Sequence, residues 1–224
     1  YLPYFDFLED LFSRSLDGTP FTHSLHVGQL ESYAHSGKNT FRQLHFYVDA
    51  ADVVDQHVLI AAITGAGKTH TAAVIVEELA HKTPYPVVIL DSYGEYTTLG
   101  YAGSFFDQLV TEGTVSSETY PFDFQVVVYA HDVERVKAEV PTAESPHLAA
   151  SLSIQPLFTG AYDENAEQEI EASLRTGVRA SQITVLDARG LTGEERQHFF
   201  SSCVKALWDS RVNQRIPPFL LVGR

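Results

Sequence analysis

A short glycine-containing run is the part of this 224-residue sequence whose residue types most clearly suggest chemistry. The run consists of Thr64, Gly65, Ala66, Gly67, Lys68 and Thr69, and its last three residues match the end of the phosphate-loop pattern G-x-x-x-x-G-K-[ST]. Glycines let successive backbone N–H groups surround one anion at the start of a helix. A lysine can add its charge at the terminal phosphates, and a threonine hydroxyl can ligate Mg²⁺. The spacing predicts a nucleotide site, with ATP and Mg²⁺ as the expected cofactors.

The residues flanking this run extend the prediction. We expect Thr64 through Thr69 and His70 to contact the nucleotide, with Lys68 also acting in catalysis and Thr69 also binding the metal. Ala62 stands where the pattern has its first glycine, which is compatible with a loop if its φ is negative. A structural glycine turn that binds no ligand is the alternative.

A second group of polar residues follows the apolar run Val87–Leu90. Asp91 comes directly after it and Glu95 four residues later. Carboxylates at the carboxyl end of a parallel strand face the crevice where ligands bind. We expect Asp91 to hold Mg²⁺, directly or through water, and Glu95 to orient an attacking water. Alternatively, Asp91 caps a turn and Glu95 is a solvated loop residue.

A third motif is the run Asp187–Gly190, which follows another apolar run. It is consistent with a sensor position at the same sheet edge. A turn-forming Asp-x-x-Gly explains it as well.

Alternating strands and helices are needed to position these groups. Unbroken apolar runs predict buried parallel strands, and helical spacing predicts a helix over Thr69–His81 with Val74, Ile75 and Leu79 inward. A capping box of Thr192 and Glu195 predicts a helix to about Val212. The predicted strands are His57–Ile63, Val87–Leu90, Phe124–Tyr129, Ile183–Leu186 and Phe219–Val222. This alternation indicates an α/β fold with a mostly parallel sheet flanked by helices.

The chain is expected to contain two regions. Residues 21–50 alternate polar and apolar side chains around a turn at Ser36–Asn39, so residues 1–50 are interpreted as a partial β subdomain. Residues 51–224 form the nucleotide-binding domain, with a helical excursion at about 130–182 in which Asp163 caps a helix. The sequence starts at Tyr1 and contains no methionine, so we expect a fragment whose natural start is missing.

Composition excludes several classes of protein. The chain is 44% hydrophobic and 20% charged, which disfavours disorder and collagen, and no apolar run is long enough to span a membrane. The single cysteine, Cys203, excludes an internal disulfide framework and indicates a reducing, cytoplasmic location. With 15 basic and 29 acidic residues the net charge is −14, which excludes a uniformly basic DNA-coating protein. A local basic groove can still bind DNA.

At these motifs the chain resembles the central ATPase domain of the HerA family, in the HerA/FtsK branch of RecA-like translocases. The resemblance spans residues 21–222, and its most discriminating element is the Asp-x-x-Gly-Glu-Tyr run at Asp91–Tyr96. It implies a RecA-like phosphate-loop fold preceded by the remnant of a small β-barrel. It also implies an ATP-driven DNA translocase or helicase that forms a hexameric ring around duplex DNA and works with a nuclease partner.

The resemblance is incomplete at two positions. Ala62 is one, and the other follows Val222, where the family has an acidic pair and this chain has Gly223 and Arg224. The expectation is therefore a fragment, truncated at its C-terminus, that binds ATP but hydrolyses it slowly. Two alternatives are a small-molecule phosphate-loop kinase and a non-hydrolysing nucleotide-binding module used in assembly.

Overall fold

The computed structural model describes residues 21–32, 42–56, 58–61, 63, 65–99, 124–139, 151–158, 160 and 162–223. The expectations for residues 1–20, for the turn at 36–39 and for Ala62 and Thr64 lie outside these described residues. The chain divides into two compact units, Tyr1–Thr83 and Pro84–Arg224, called here the first and the second unit. The predicted domain boundary at residue 50 stays a prediction.

The first unit contains an antiparallel hairpin. Strands β1 (Ser24–Ser32) and β2 (Arg42–Asp49) pair from Ser24 opposite Asp49 to Ser32 opposite Arg42, with a bulge between His26 and Gly28. The alternating pattern of residues 21–50 predicted this pair of strands. Helix α1 (Ala50–Asp55) follows at once, and the Asp49 carboxylate caps it by accepting the Ala51 N–H at 3.0 Å. The barrel from which the hairpin was expected to derive remains a prediction.

The buried strand predicted at His57–Ile63 is wrong for the residues that the structure describes. Residues 58–61 and 63 form neither strand nor helix, and Leu59 and Ile63 are 88% and 82% exposed. An apolar run favours burial, but a strand also needs a neighbouring strand to satisfy its backbone N–H and C=O groups. In the described part of the first unit β1 and β2 pair with each other, and no third strand lies beside this run.

Helix α2 (Lys68–Lys82) confirms the helix predicted after the glycine turn. Its buried face consists of Ala72, Ile75, Val76, Leu79 and Ala80, so of the predicted inward residues Val74 is only half-buried. The Glu78 carboxylate accepts the His26 N–H at 2.8 Å, and Lys82 Nζ donates to Ser24 O at 3.1 Å. These bonds fix the carboxyl-terminal half of α2 to β1.

The second unit is built on a five-stranded parallel sheet, as the α/β prediction requires. The strand order is β5-β4-β6-β3-β7, and the strands are β3 (Val87–Asp91), β4 (Gln125–Ala130), β5 (Ser151–Pro156), β6 (Gln182–Asp187) and β7 (Leu220–Gly223). Every residue of β3 and β6 is buried, which explains their unbroken apolar runs. Asp91 and Asp187 pair in register at the carboxyl ends of these two strands.

The described residues of the second unit form three helices between its strands. They are α3 (Val133–Glu139), α4 (Glu164–Gly177) and α5 (Gly193–Val212). The predicted caps are confirmed, since Asp163 accepts two N–H groups at the start of α4 and Thr192 and Glu195 form the capping box of α5. Phe199, Cys203 and Leu207 of α5 lie in one buried cluster with Ile170 and Leu174 of α4. Among the described residues, no helix is long and apolar enough to cross a membrane.

The region expected as a helical excursion also contains strand β5, which the sequence analysis missed. β5 pairs with β4 from Ser151 opposite Gln125 to Pro156 opposite Ala130. It is the outermost strand on one side of the sheet. Its polar residue Ser153 is half-buried, and Gln155 is exposed. An edge strand needs fewer apolar residues than a central one, so its composition resembles that of a loop.

Candidate functional site

The glycine turn before α2 has left-handed backbone at both of its glycines. Gly65 and Gly67 have φ angles of +82° and +84°, in the left-handed region that favours glycine. Ala66 N–H donates to Ile63 O at 3.2 Å, which closes the turn. Gly67 is the N-cap of α2, and its carbonyl accepts the Thr71 N–H at 2.9 Å as the first bond of the helix.

The surroundings of this turn suit an anion. Among the described residues other than the chain neighbours of each glycine, no heavy atom lies within 4 Å of the points where Cβ atoms on Gly65 and Gly67 would lie. The first turn of α2, which the structure describes in full, carries no acidic residue, so the positive end of the helix dipole is not offset there. Lys68 and Thr69 are half-buried and His70 is exposed. Lys68 Nζ donates to Ile63 O at 3.0 Å.

Asp91 is buried at the carboxyl end of β3, with 1% of its surface exposed. Its Oδ1 accepts the N–H groups of Tyr93 at 3.1 Å and Gly94 at 2.8 Å, and its Oδ2 accepts that of Tyr96 at 2.9 Å. These three bonds organise the segment Ser92–Thr97, which we call the β3 loop. Asp91 therefore shapes the loop that carries Glu95.

The β3 loop alternates buried and exposed side chains. Ser92, Tyr96 and Thr97 are buried, whereas Tyr93 and Glu95 are exposed. Burial raises the pKa of Tyr96, and the nearby charge of Asp91 adds to that rise. Gly94 has a φ of +73°, so the loop turns at a position where other residues are strained. This turn carries Glu95 to the surface.

Asp187, at the end of β6, holds the side chain of Arg189. Arg189 Nε donates to both oxygens of Asp187 at 3.0 Å, and Nη2 donates to Oδ2 at 2.8 Å. Nη1 donates to Glu139 Oε2 at 2.5 Å, at the end of α3. Hydrogen bonding to Asp187 raises the pKa of Arg189 above its already high value. The guanidinium is fixed between two carboxylates.

A cavity of about 520 Å³ lies beyond the carboxyl ends of strands β4 and β6. It is lined by His131, Asp132, Val133, Glu134 and Gly190, which follow β4 and β6. The first four were not expected at a site, because they belong to no recognisable sequence motif.

The structure assigns the predicted site residues to two groups. Gly65 through His70 are consecutive in the first unit, and Asp91 and Glu95 lie in the second. Arg189 lies within the Asp187–Gly190 run that the sequence offered as a sensor position, but its bond to Glu139 was not expected. Fifty residues separate those two partners, and a single sequence carries no signal for such a contact.

Comparison with known protein families shows to which family the chain belongs. The model of "Helicase HerA, central domain" matches residues 25–157, which is more than half of the chain. The chain belongs to the HerA central-domain family. The HerA match includes the glycine turn and the β3 loop, while Asp187 and Arg189 lie beyond its end.

Curated relatives also carry the HerA name. A probable DNA double-strand break repair helicase HerA from Methanocaldococcus jannaschii is 43% identical over 53 residues, covering 24% of this chain and 10% of that protein. The DNA double-strand break repair helicase HerA of Pyrococcus furiosus is 36% identical over 52 residues, covering 23% of this chain and 9% of that protein. Each match thus spans about a tenth of the relative's length. No solved structure matches the chain.

Proposed function

We propose that the chain is the ATP-binding motor domain of a DNA translocase or helicase, which couples ATP hydrolysis to movement on duplex DNA. The observation that carries this proposal is the left-handed backbone of Gly65 and Gly67 directly before Lys68 and the start of α2. Left-handed glycines directly before a helix N-terminus are the backbone arrangement found in anion-binding turns. Membership of the HerA central-domain family supports the same function.

The residues present fit a nucleoside triphosphate with Mg²⁺. The open space beside Gly65 and Gly67 leaves room for the backbone to approach a phosphate closely. Residues 64–69 would contact the phosphates, Thr69 would ligate the metal and His70 would lie beside the nucleotide. The Ala66 N–H and Lys68 Nζ, which both donate to Ile63 O in this structure, would exchange that partner for phosphate oxygens. Bound Mg²⁺ would neutralise negative charge on the phosphates.

Asp91 and Glu95 have different roles in the proposed ATP hydrolysis. An ionised carboxylate has about four acceptor positions, and loop amides occupy three of those of Asp91. Among the described residues these bonds leave one position of Asp91, so we assign Asp91 to the metal through a water molecule rather than by direct ligation. Glu95 is exposed, and we propose that it orients the attacking water.

The proposed partners follow from the relatives and from the resemblance. Two relatives are named as DNA double-strand break repair helicases, so duplex DNA is the proposed track. Assembly into a hexameric ring and cooperation with a nuclease are proposed from the family resemblance. The single cysteine supports a reducing, cytoplasmic location.

The test replaces Lys68 with alanine and measures ATP binding by calorimetry. Affinity should fall by a factor of about 10 or more, because a charge-assisted contact to phosphate contributes about 1.5–3 kcal/mol. Lys137→Ala is the matched control, since Lys137 pairs with Glu134 on the surface of α3 and should leave affinity unchanged. Equal affinity in Lys68→Ala and the parent chain would contradict the phosphate-loop assignment.

A non-hydrolysing nucleotide-binding module is the second candidate. The occupied carboxylate of Asp91 favours it, because little acceptor capacity remains for a metal. Phosphate release from ATP with and without duplex DNA separates the two candidates. Turnover, even slow, that lies above the Lys68→Ala background and that Glu95→Gln abolishes supports the motor. ATP binding with turnover no higher than in Lys68→Ala supports the module.

A further inference from the structure

Arg189 connects three segments of the second unit that are distant in sequence. Its own N–H and its Nε and Nη2 groups bond to Asp187, and Nη1 bonds to Glu139. Its side chain is 10% exposed. Because the guanidinium is planar and its donors are rigidly placed, two carboxylates on different edges fix its orientation.

The third segment is the β3 loop. A methyl group built on Gly94 would overlap the Cζ, Nε and Nη1 atoms of Arg189. The guanidinium therefore lies against the backbone of Gly94 where a side chain would project. The Gly94 N–H donates to Asp91 at the same time. The β3 loop is held by Asp91 through hydrogen bonds and by Arg189 through direct packing.

We propose that Arg189 is a positioning residue that fixes the β3 loop and thereby the place of Glu95. The inference rests on the proposed function, because the role of Glu95 in hydrolysis belongs to that proposal. Glu95 directly follows Gly94, so a shift of the Gly94 backbone moves the carboxylate with it. Arg189 itself acts on Glu95 through the loop and is not assigned a contact with the nucleotide.

The bond to Glu139 indicates positioning rather than charge compensation alone. Asp187 is 3% exposed and needs a cation, which the fork of Nε and Nη2 already supplies. The Glu139 side chain is 38% exposed, and an ion pair at that exposure contributes little stability. Its effect is to fix the plane of the guanidinium that lies against Gly94.

Amide hydrogen exchange of the full 224-residue chain tests this proposal. The variants are Arg189→Lys, which keeps a cation for Asp187 but lacks the fork, and Glu139→Ala, which keeps the pair with Asp187 intact. Arg135→Ala is the matched control, because Arg135 also bonds to Glu139, at 3.3 Å, and takes no part in the contact with Gly94. The amides to follow are those of Tyr93, Gly94 and Tyr96.

Exchange at these amides should become faster by about tenfold or more in both test variants and should be unchanged in Arg135→Ala. The buried β6 amides should exchange in all three variants as they do in the parent chain. Unchanged loop exchange in a folded Arg189→Lys and Glu139→Ala would overturn the proposal. An equal rise at β6 would also overturn it, because it would show general destabilisation.

Steady-state kinetics then links the loop to hydrolysis. Both test variants should lower kcat for phosphate release and leave KM for ATP unchanged, because the residues of the glycine turn remain intact. Faster loop exchange with unchanged kcat would overturn the positioning role. Failure of the parent chain to bind ATP in calorimetry would instead overturn the proposed function, and the exchange result would still decide whether Arg189 holds the loop.

Discussion

At the scale of single residues, the carboxyl ends of β3 and β6 show how buried charge is made tolerable. Asp91 and Asp187 pair in register and are 1% and 3% exposed. A buried carboxylate needs hydrogen bonds or a counter-charge. Asp91 uses three loop amides, and Asp187 uses the guanidinium of Arg189. Two adjacent carboxylates thus organise two different loops at one sheet edge.

The residue-scale prediction concerns the protonation of Glu139. The hydrogen bond from Arg189 holds the pKa of Glu139 below its ordinary value of 4.5. A carboxyl group whose pKa is lowered by folding stabilises the folded state above its unfolded pKa and loses that effect as pH falls through the folded pKa. The link between α3 and the β3 loop should therefore weaken in mildly acidic solution below about pH 4.5. An NMR titration of the Glu139 carboxyl carbon measures this pKa.

Two variants give the control for that titration. Arg189→Lys should raise the pKa of Glu139 toward 4.5, and Arg135→Ala should raise it less, because the Arg189 bond is the larger cause of the lowering. The same pKa in the parent chain and in Arg189→Lys would show that this ion pair does not form in solution.

At the scale of elements, apolar runs and helix caps in the sequence correctly predicted several strands and helices. The buried strands β3, β4 and β6 were predicted from unbroken apolar runs, and α4 and α5 from their caps. The run at His57–Ile63 has the same apolar character, but the strand predicted there is wrong for its described residues 58–61 and 63, because a strand also requires a pairing partner that sequence does not specify. Strand β5 was missed for the converse reason, since a partner makes a strand from a polar segment.

The element-scale prediction concerns the start of α5. The Thr192 N–H donates to Glu195 Oε2 at 2.8 Å, and the Glu195 N–H donates to Thr192 Oγ1 at 3.3 Å. Thr192→Ala should lower the free energy of unfolding by about 1 kcal/mol, because it leaves an N–H of the first turn without its cap. Urea denaturation followed by circular dichroism measures the change.

Thr176→Ala is the matched control for the cap. The Thr176 hydroxyl bonds to Ala172 O within α4, so its loss removes no cap and favours helix propensity. We expect no loss of stability in this variant. A Thr192→Ala chain as stable as the control would show that the capping box contributes nothing in solution.

At the scale of the whole molecule, the pairing of strands decides which candidate site residues lie together. The order β5-β4-β6-β3-β7 brings β3 between β6 and β7, both of which come much later in the chain. Asp91, Glu139 and Arg189 therefore lie together near the carboxyl ends of the central strands of the second unit. Of these three residues, the sequence indicated only Asp91 as a ligand. The glycine turn, by contrast, is one continuous segment, so its position before α2 was predictable from its own residues.

The last prediction concerns the charge of the whole chain and its proposed DNA track. The net charge is −14, and Lys82, Arg135, Lys137, Arg175 and Arg189 already pair with carboxylates. Acidic residues outnumber basic ones by 29 to 15, so the chain as a whole repels phosphates. Each phosphate contact contributes about −0.9 to the slope of log affinity against log salt. We expect a shallow slope, between 0 and about −4, in fluorescence anisotropy with duplex DNA from 50 to 200 mM salt.

A control titration with Arg175→Gln, which removes a cation paired on α4, should give the same slope. A slope steeper than about −6 would require a basic groove with many phosphate contacts and would contradict the charge argument.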